Sequence, residues 1–100
     1  MYLDAEMPDQ QSPALRRAAD QLRNHANACH HAELRRLASQ MSGLDPEDIL
    51  ESRLVFLGMF GFELNWIDID GAHTVVIHFG EPALTAMDIA VRFGRYLLDT

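Results

Sequence analysis

The chain has 100 residues, 48% of them apolar, and a formal charge of −7. That length suits one domain, since single cores commonly span roughly 100 to 150 residues, and the apolar fraction is too high for a disordered chain. All eight basic residues are arginines, which excludes lysine Schiff-base chemistry and a phosphate loop of the Walker type. The acidic balance argues against a nucleic-acid partner, because phosphate neutralisation supplies most non-specific affinity. No apolar run reaches the length of a membrane span, and the acidic start (Asp4, Glu6, Asp9) is unlike a signal peptide. The lone Cys29 cannot form an internal disulfide, so a cytoplasmic protein is expected.

Residues 1–11 are polar and without periodicity, which predicts a flexible N-terminal arm ahead of a single domain over 12–100. Ser12-Pro13 reads as a helix start, with a hydroxyl at the N-cap and proline at the first helical position. Leu15, Ala18, Ala19, Leu22 and Ala26 follow at helical spacing, and Leu34, Leu37, Ala38 and Met41 continue it. A single helix of that length is unusual, and asparagines favour caps and turns, so a break is expected near Asn24 to Asn27. Gly43 closes the helical part, and Asp45-Pro46-Glu47 starts a short helical turn.

The apolar period then changes. Leu54 to Phe60 is apolar on both alternations, which suits a strand covered on both faces. In the next strand Phe62, Leu64 and Trp66 point one way, with Glu63 and Asn65 opposite. The turnover to Ile67 and Ile69 suggests a bulge or a second covered face. Asp70-Gly71 signals a hairpin. The third strand presents His73, Val75, Ile77 and Phe79 on one face, with Thr74, Val76 and His78 on the other. Thr85-x-x-Asp88 resembles a capping box, and the helix after it is expected to bury Met87, Val91, Tyr96 and Leu98 or near neighbours. The fold class is α+β, with helices packed on a three-stranded antiparallel sheet in the order α-α-β-β-β-α. Val55, Leu57, Met59, Ile67, Ile69 and Val76 are too many apolar residues for a solvated second sheet face. A homodimer, made through that face or the sheet edge, is therefore expected, or a flat apolar ligand packed there.

His25, Cys29, His30 and His31 form the only dense group of metal-ligating residue types. On an unbroken helix His25 and Cys29 share a face, whereas His30 and His31 fall on adjacent ones. A structural zinc site needs four ligands, so His73, His78 or a carboxylate would have to complete it. The plainer reading is a polar helix shoulder whose imidazoles bond backbone or water, with Cys29 a packed, inert thiol. His78, beside Val76, could ligate something held against the sheet, or sit at a dimer rim. Asp68 and Asp70 share a strand face beside a turn, where solvation is the ordinary account. No nucleophile, base and oxyanion site assemble in the sequence, so an enzyme is not expected.

Two blocks carry a family resemblance. His25-x-Asn27-x-x-His30, followed by Ala32 to Leu37, and Gly58-Met59-Phe60-Gly61-Phe62-Glu63-Leu64 stand in order, with Phe79-Gly80-Glu81-Pro82 and a last helix behind them. Together they resemble a domain of unknown function found at the C-terminus of HugZ-type, pyridoxamine-phosphate-oxidase-like haem-utilisation proteins. The family's typical pattern runs His-x-Asn-x-Asp-His, then Asp-Arg-Tyr-Gly-Phe-Asp-Leu. Here Cys29, Gly58 and Met59 replace three of its polar positions. The resemblance covers about residues 15 to 98 and implies haem binding or haem-iron handling, with haem as cofactor. His25, His30, His31 and His78 would be the cofactor-binding candidates, and His25 and His30 the iron ligands. Relatives degrade haem with a separate split-barrel domain that this chain is too short to contain. Their axial histidine near the extreme C-terminus has no counterpart in Tyr96-Leu97-Leu98-Asp99-Thr100. Related plant proteins bind an enzyme of tetrapyrrole synthesis instead. The function expected is a small non-enzymatic binding domain for haem, or alternatively a protein-interaction module without a small ligand.

Overall fold

The computed structural model describes residues 12–98; the arm expected over 1–11 lies outside them. Helix α1 spans Pro13–Cys29, and the Ser12 hydroxyl accepts the N–H of Leu15 at 3.0 Å. Its Leu15, Ala19 and Ala26 face the core. The break falls at His30 (φ −125°, ψ 44°), three residues beyond the expected asparagine segment. Asn27 stays helical because its side chain is engaged elsewhere. Nδ2 donates to the Leu54 carbonyl at 2.8 Å, and Oδ1 accepts the Leu54 N–H at 2.8 Å. An amide used in this way no longer competes for the backbone of its own helix. Helix α2, His31–Ser42, buries Leu34, Leu37 and Ala38 and ends at Gly43 in the left-handed region (φ 80°). One 3-10 turn, Pro46–Asp48, leads into the sheet.

Strands β1 (Glu51–Leu57), β2 (Gly61–Asp68) and β3 (Gly71–His78) form an antiparallel meander in the order β1-β2-β3. The doubly apolar run has a local cause. The β1–β2 register passes from Leu54↔Leu64 directly to Phe56↔Glu63, so Val55 is an extra residue in a bulge. The bulge turns both Leu54 and Leu57 into the core and leaves Phe56 half-exposed. The strand ends at Leu57, short of Phe60, and Gly58 donates to the Gly61 carbonyl at 3.0 Å to close the turn. No bulge follows Trp66. The β2–β3 register runs unbroken from Gly61↔His78 to Asp68↔Gly71, with Ile69 and Asp70 between the strands. Ile69 is 92% exposed.

Helix α3 spans Ala86–Leu98. The Thr85 hydroxyl accepts the Asp88 N–H at 3.0 Å, while the Asp88 carboxylate reaches back to the N–H of Leu84. The buried stripe is Ile89, Phe93 and Leu97, every fourth residue, whereas Met87, Val91 and Leu98 are exposed. The expected stripe was rotated away from the true one. What fixes the rotation is aromatic packing: the Phe93 ring meets Phe62 edge-on at 5.1 Å and Tyr96 meets it at 5.3 Å. Phe62, Leu64, Leu54, Leu57, Leu34 and Ile89 form the heart of one core. Burying a side chain of this kind contributes about 1.5–3 kcal/mol.

The opposite sheet face is more mixed than the sequence suggested. Leu57 belongs to the core, Met59 packs partly buried against it, and Ile69 stands out in the hairpin loop. What is left there, Phe56, Ile67 and Val76, is interspersed with Glu63, Asn65 and Thr74. A cross-strand hydrogen bond from Thr74 Oγ1 to Asn65 Oδ1, 2.8 Å long, marks the face as partly polar.

Candidate functional site

The helix break brings His25 and His30 together, their rings edge-on with centroids 5.2 Å apart. Nδ1 of His30 lies 3.5 Å from the Glu33 carboxylate. His31 starts α2 and lines a separate hollow of about 160 Å³ with Asn27, Arg35 and Ser52. His78 lies on β3, across the sheet from β1, the strand that α1 holds through Asn27. The two expected iron ligands, His25 and His30, therefore meet, while the other cofactor-binding candidates, His31 and His78, lie elsewhere. The hollow at His31 is below the roughly 300–1,000 Å³ of ordinary ligand pockets, too small for a haem. No group of three or more His, Cys, Asp or Glu side chains among the described residues is placed to hold a metal ion. Cys29, expected to be packed, is exposed at the end of α1, because the chain breaks one residue later.

A cluster that the sequence did not flag lies at the β2–β3 hairpin. Asp68 is buried, contrary to the solvated position expected for it. Its carboxylate accepts the Asp70 N–H at 2.8 Å and lies 3.1 Å from His73 Nε2. The His73 ring stacks on Trp66 at 5.5 Å, and the Trp66 indole N–H lies near the same carboxylate without completing a hydrogen bond to it. Burial pushes the Asp68 carboxyl up, but the Asp70 N–H and the hydrogen bond and charge of His73 outweigh it, so the group sits below the usual aspartate value. The only hint in the sequence was the Asp68–Asp70 spacing, which is that of an Asx turn. An Asp–His pair can orient an imidazole for proton transfer, but Asp68 and His73 also tie the two strands across their loop.

A stability consequence follows from the sign of that shift. A carboxyl lowered in the folded state stabilises it above the ordinary carboxyl range, and this contribution is lost as pH falls through the folded value. Unfolding midpoints are expected to fall on acidification below about pH 4. Asp68→Asn keeps the shape of the cluster and is expected to flatten that dependence. Parallel acid profiles for the two proteins would exclude Asp68 as its source.

The two sheet edges differ. Along β1 the outward N–H and C=O of Leu54 are taken by Asn27, and Arg23 reaches the Val55 carbonyl at 3.4 Å. β1 also carries Glu51 and Arg53. β3 pairs with β2 on one side, and among the described residues no strand pairs with it on the other. Alternation of the ladder, set by the outward groups of Leu54, turns the N–H and C=O of Ala72, Thr74, Val76 and His78 to that open side. The strand reads Gly-Ala-His-Thr-Val-Val-Ile-His, with no acidic residue, arginine or proline. Such residues are the usual means by which natural edges prevent pairing.

No protein-family model matches the chain, and no curated protein matches it. The family resemblance rests on the quoted motifs alone. No helix among the described residues is long and apolar enough to cross a membrane.

Proposed function

We propose that the chain is a small non-enzymatic binding domain that works through protein contact, and that its first partner is a second copy of itself, joined at β3. The observation that supports this reading is the bare eight-residue edge. Two antiparallel β3 strands around a two-fold axis would satisfy the outward groups of both copies and form one six-stranded sheet. The chain carries −7 overall, so most approaches between copies are repulsive. β3 contributes nothing to that charge, which makes it the segment where like copies can meet. Val76, 54% exposed beside the edge, would gain cover from the partner strand.

Light scattering coupled to gel filtration tests the reading. The wild type is expected to run with the mass of a dimer, and Thr74→Pro and Val76→Lys as folded monomers. Proline at Thr74 removes an outward N–H and the hydroxyl bond to Asn65, while the backbone pairing to β2 is kept. A monomeric wild type at about 100 μM, a concentration at which even weak specific pairs associate, would overturn it. A haemin titration belongs beside this experiment. Absorbance changes are expected to be weak, non-saturating and equal in wild type, His25→Ala, His30→Ala and His31→Ala. A saturable Soret shift lost in one variant would restore the haem reading in place of this one.

A further inference from the structure

A cleft lies where β3 ends against α3, of about 460 Å³ and lined by Phe79, Asp88, Val91, Arg92, Arg95 and Tyr96. Its size falls within the range of small-molecule sites. We propose that it binds a small aromatic monocarboxylate. The inference does not depend on how β3 is paired.

Five of the lining residues come from α3 itself, on the flank beside its Ile89, Phe93 and Leu97 stripe. Each lies three or four residues from another of the set, the spacing of neighbours on one helical face. Phe79 comes from the segment after β3, held by its N–H to the Phe60 carbonyl at 2.9 Å. Tyr96 is fixed between the rings of Phe62 at 5.3 Å and Phe79 at 6.4 Å. An aromatic wall held in this way needs no rearrangement to receive a second flat ring, which lowers the entropic cost of binding.

The polar groups indicate the charge of the ligand. Neither the Arg95 guanidinium nor the Tyr96 hydroxyl has a hydrogen-bond partner among the described residues. Arg92 gives one N–H to the Glu81 carbonyl and keeps the rest of its fork. Arg95 stands in the last turn of α3, where the carbonyl end of the helix favours a cation. Asp88 is the one carboxylate in the lining among the described residues, and it is committed to the Leu84 N–H at the other end of the helix. Seven residues of rise, about 10 Å, separate it along the axis from Arg95. Among the described residues, two arginines against one aspartate leave the lining with a single positive charge, in a chain that is otherwise acidic. That complements one carboxylate, which Arg95 can take bidentately with the Tyr96 hydroxyl as a further donor. Phe79 and Val91 then provide apolar contact for the ring.

The test is an amide-resolved NMR titration with 2-naphthoate, with the neutral 2-naphthamide as control. Saturable shifts are expected at Phe79 and over Val91 to Tyr96, with no comparable shifts from the amide. Arg95→Gln, at an exposed position, is expected to weaken naphthoate about tenfold, the scale of one charge-assisted contact. Tyr96→Phe keeps the ring packing and should lose a smaller factor. Shifts still linear at about 10 mM, beyond the weakest specific range, would overturn the proposal. Equal affinity in Arg95→Gln, or equal binding of the amide, would overturn it too. Neither variant touches β3, so the mass in solution reports separately on that edge.

Discussion

Asn27→Leu is expected to be among the most destabilising single changes in this domain. The Asn27 amide both donates to and accepts from the backbone of Leu54, at 2.8 Å each. Leucine removes both bonds and places a branched apolar side chain against a strand N–H and C=O. Groups left unpaired in a partly buried place cost about 1–3 kcal/mol each, so a total near 2–4 kcal/mol is expected. In a domain of this size that lowers the thermal midpoint by roughly 10–25 °C. The same contact fastens α1 to β1 at the bulge, so the loss should also appear as faster amide exchange along Glu51 to Leu57. A midpoint within about 2 °C of wild type, the scale of an ordinary surface change, would show that the bonds contribute nothing net.

Gly61→Ala has a larger expected effect and a purely steric cause. Gly61 begins β2 at φ +157°, and a Cβ there would lie 1.9 Å from the Ile77 carbonyl oxygen and 2.9 Å from its carbon. Those atoms are the backbone of the paired strand, which cannot rotate away as a side chain could. Separating the strands at this point would also disturb Phe62, the next residue, and its three ring contacts. A loss above about 3 kcal/mol, or no soluble folded protein, is expected. Gly43→Ala is the comparison. Its φ is +80°, yet nothing lies within 4 Å of the added carbon, so only the left-handed backbone cost of about 1 kcal/mol applies. Urea denaturation of the pair separates close approach from backbone conformation, and similar losses in both would refute the steric account.

The succession of elements was legible because each depends on local chemistry. Ser12-Pro13, Gly43, Pro46 and Thr85 mark boundaries through groups within a few residues of themselves, and all of them appear where expected. What the sequence did not reveal were the features set by distant partners. Asn27 looks like a helix breaker until Leu54, in another element, is seen to hold its side chain. The run from Leu54 to Phe60 looks covered on both faces until the bulge at Val55 accounts for it. Asp68 looks solvated until Trp66 and His73 enclose it. The rotation of α3 could not be read from a helix with apolar residues on several sides, because the Phe62 ring decides it.

The candidate sites followed the same division. The histidines were conspicuous because they are adjacent in sequence, yet the break at His30 disperses them: His25 and His30 meet, while His31 turns to another hollow. The Arg95 and Tyr96 cleft was invisible in sequence, since it needs Phe79 from a different element. The openness of β3 was half legible: its lack of charge can be read directly, but which strand lies at the edge, and which edge is already occupied, requires the topology.

The occupied state of β1 also sets an upper limit on assembly. A sheet open at both ends can add strands without end, which is how fibrils grow. Here Asn27 and Arg23 occupy the β1 margin at Leu54 and Val55, so among the described residues β3 is the margin left without such contacts. The strand addition proposed at β3 would then be self-terminating. With β3 paired as proposed, growth would stop at two subunits, and a segment as β-prone as Thr74-Val75-Val76-Ile77 would be covered by its own copy.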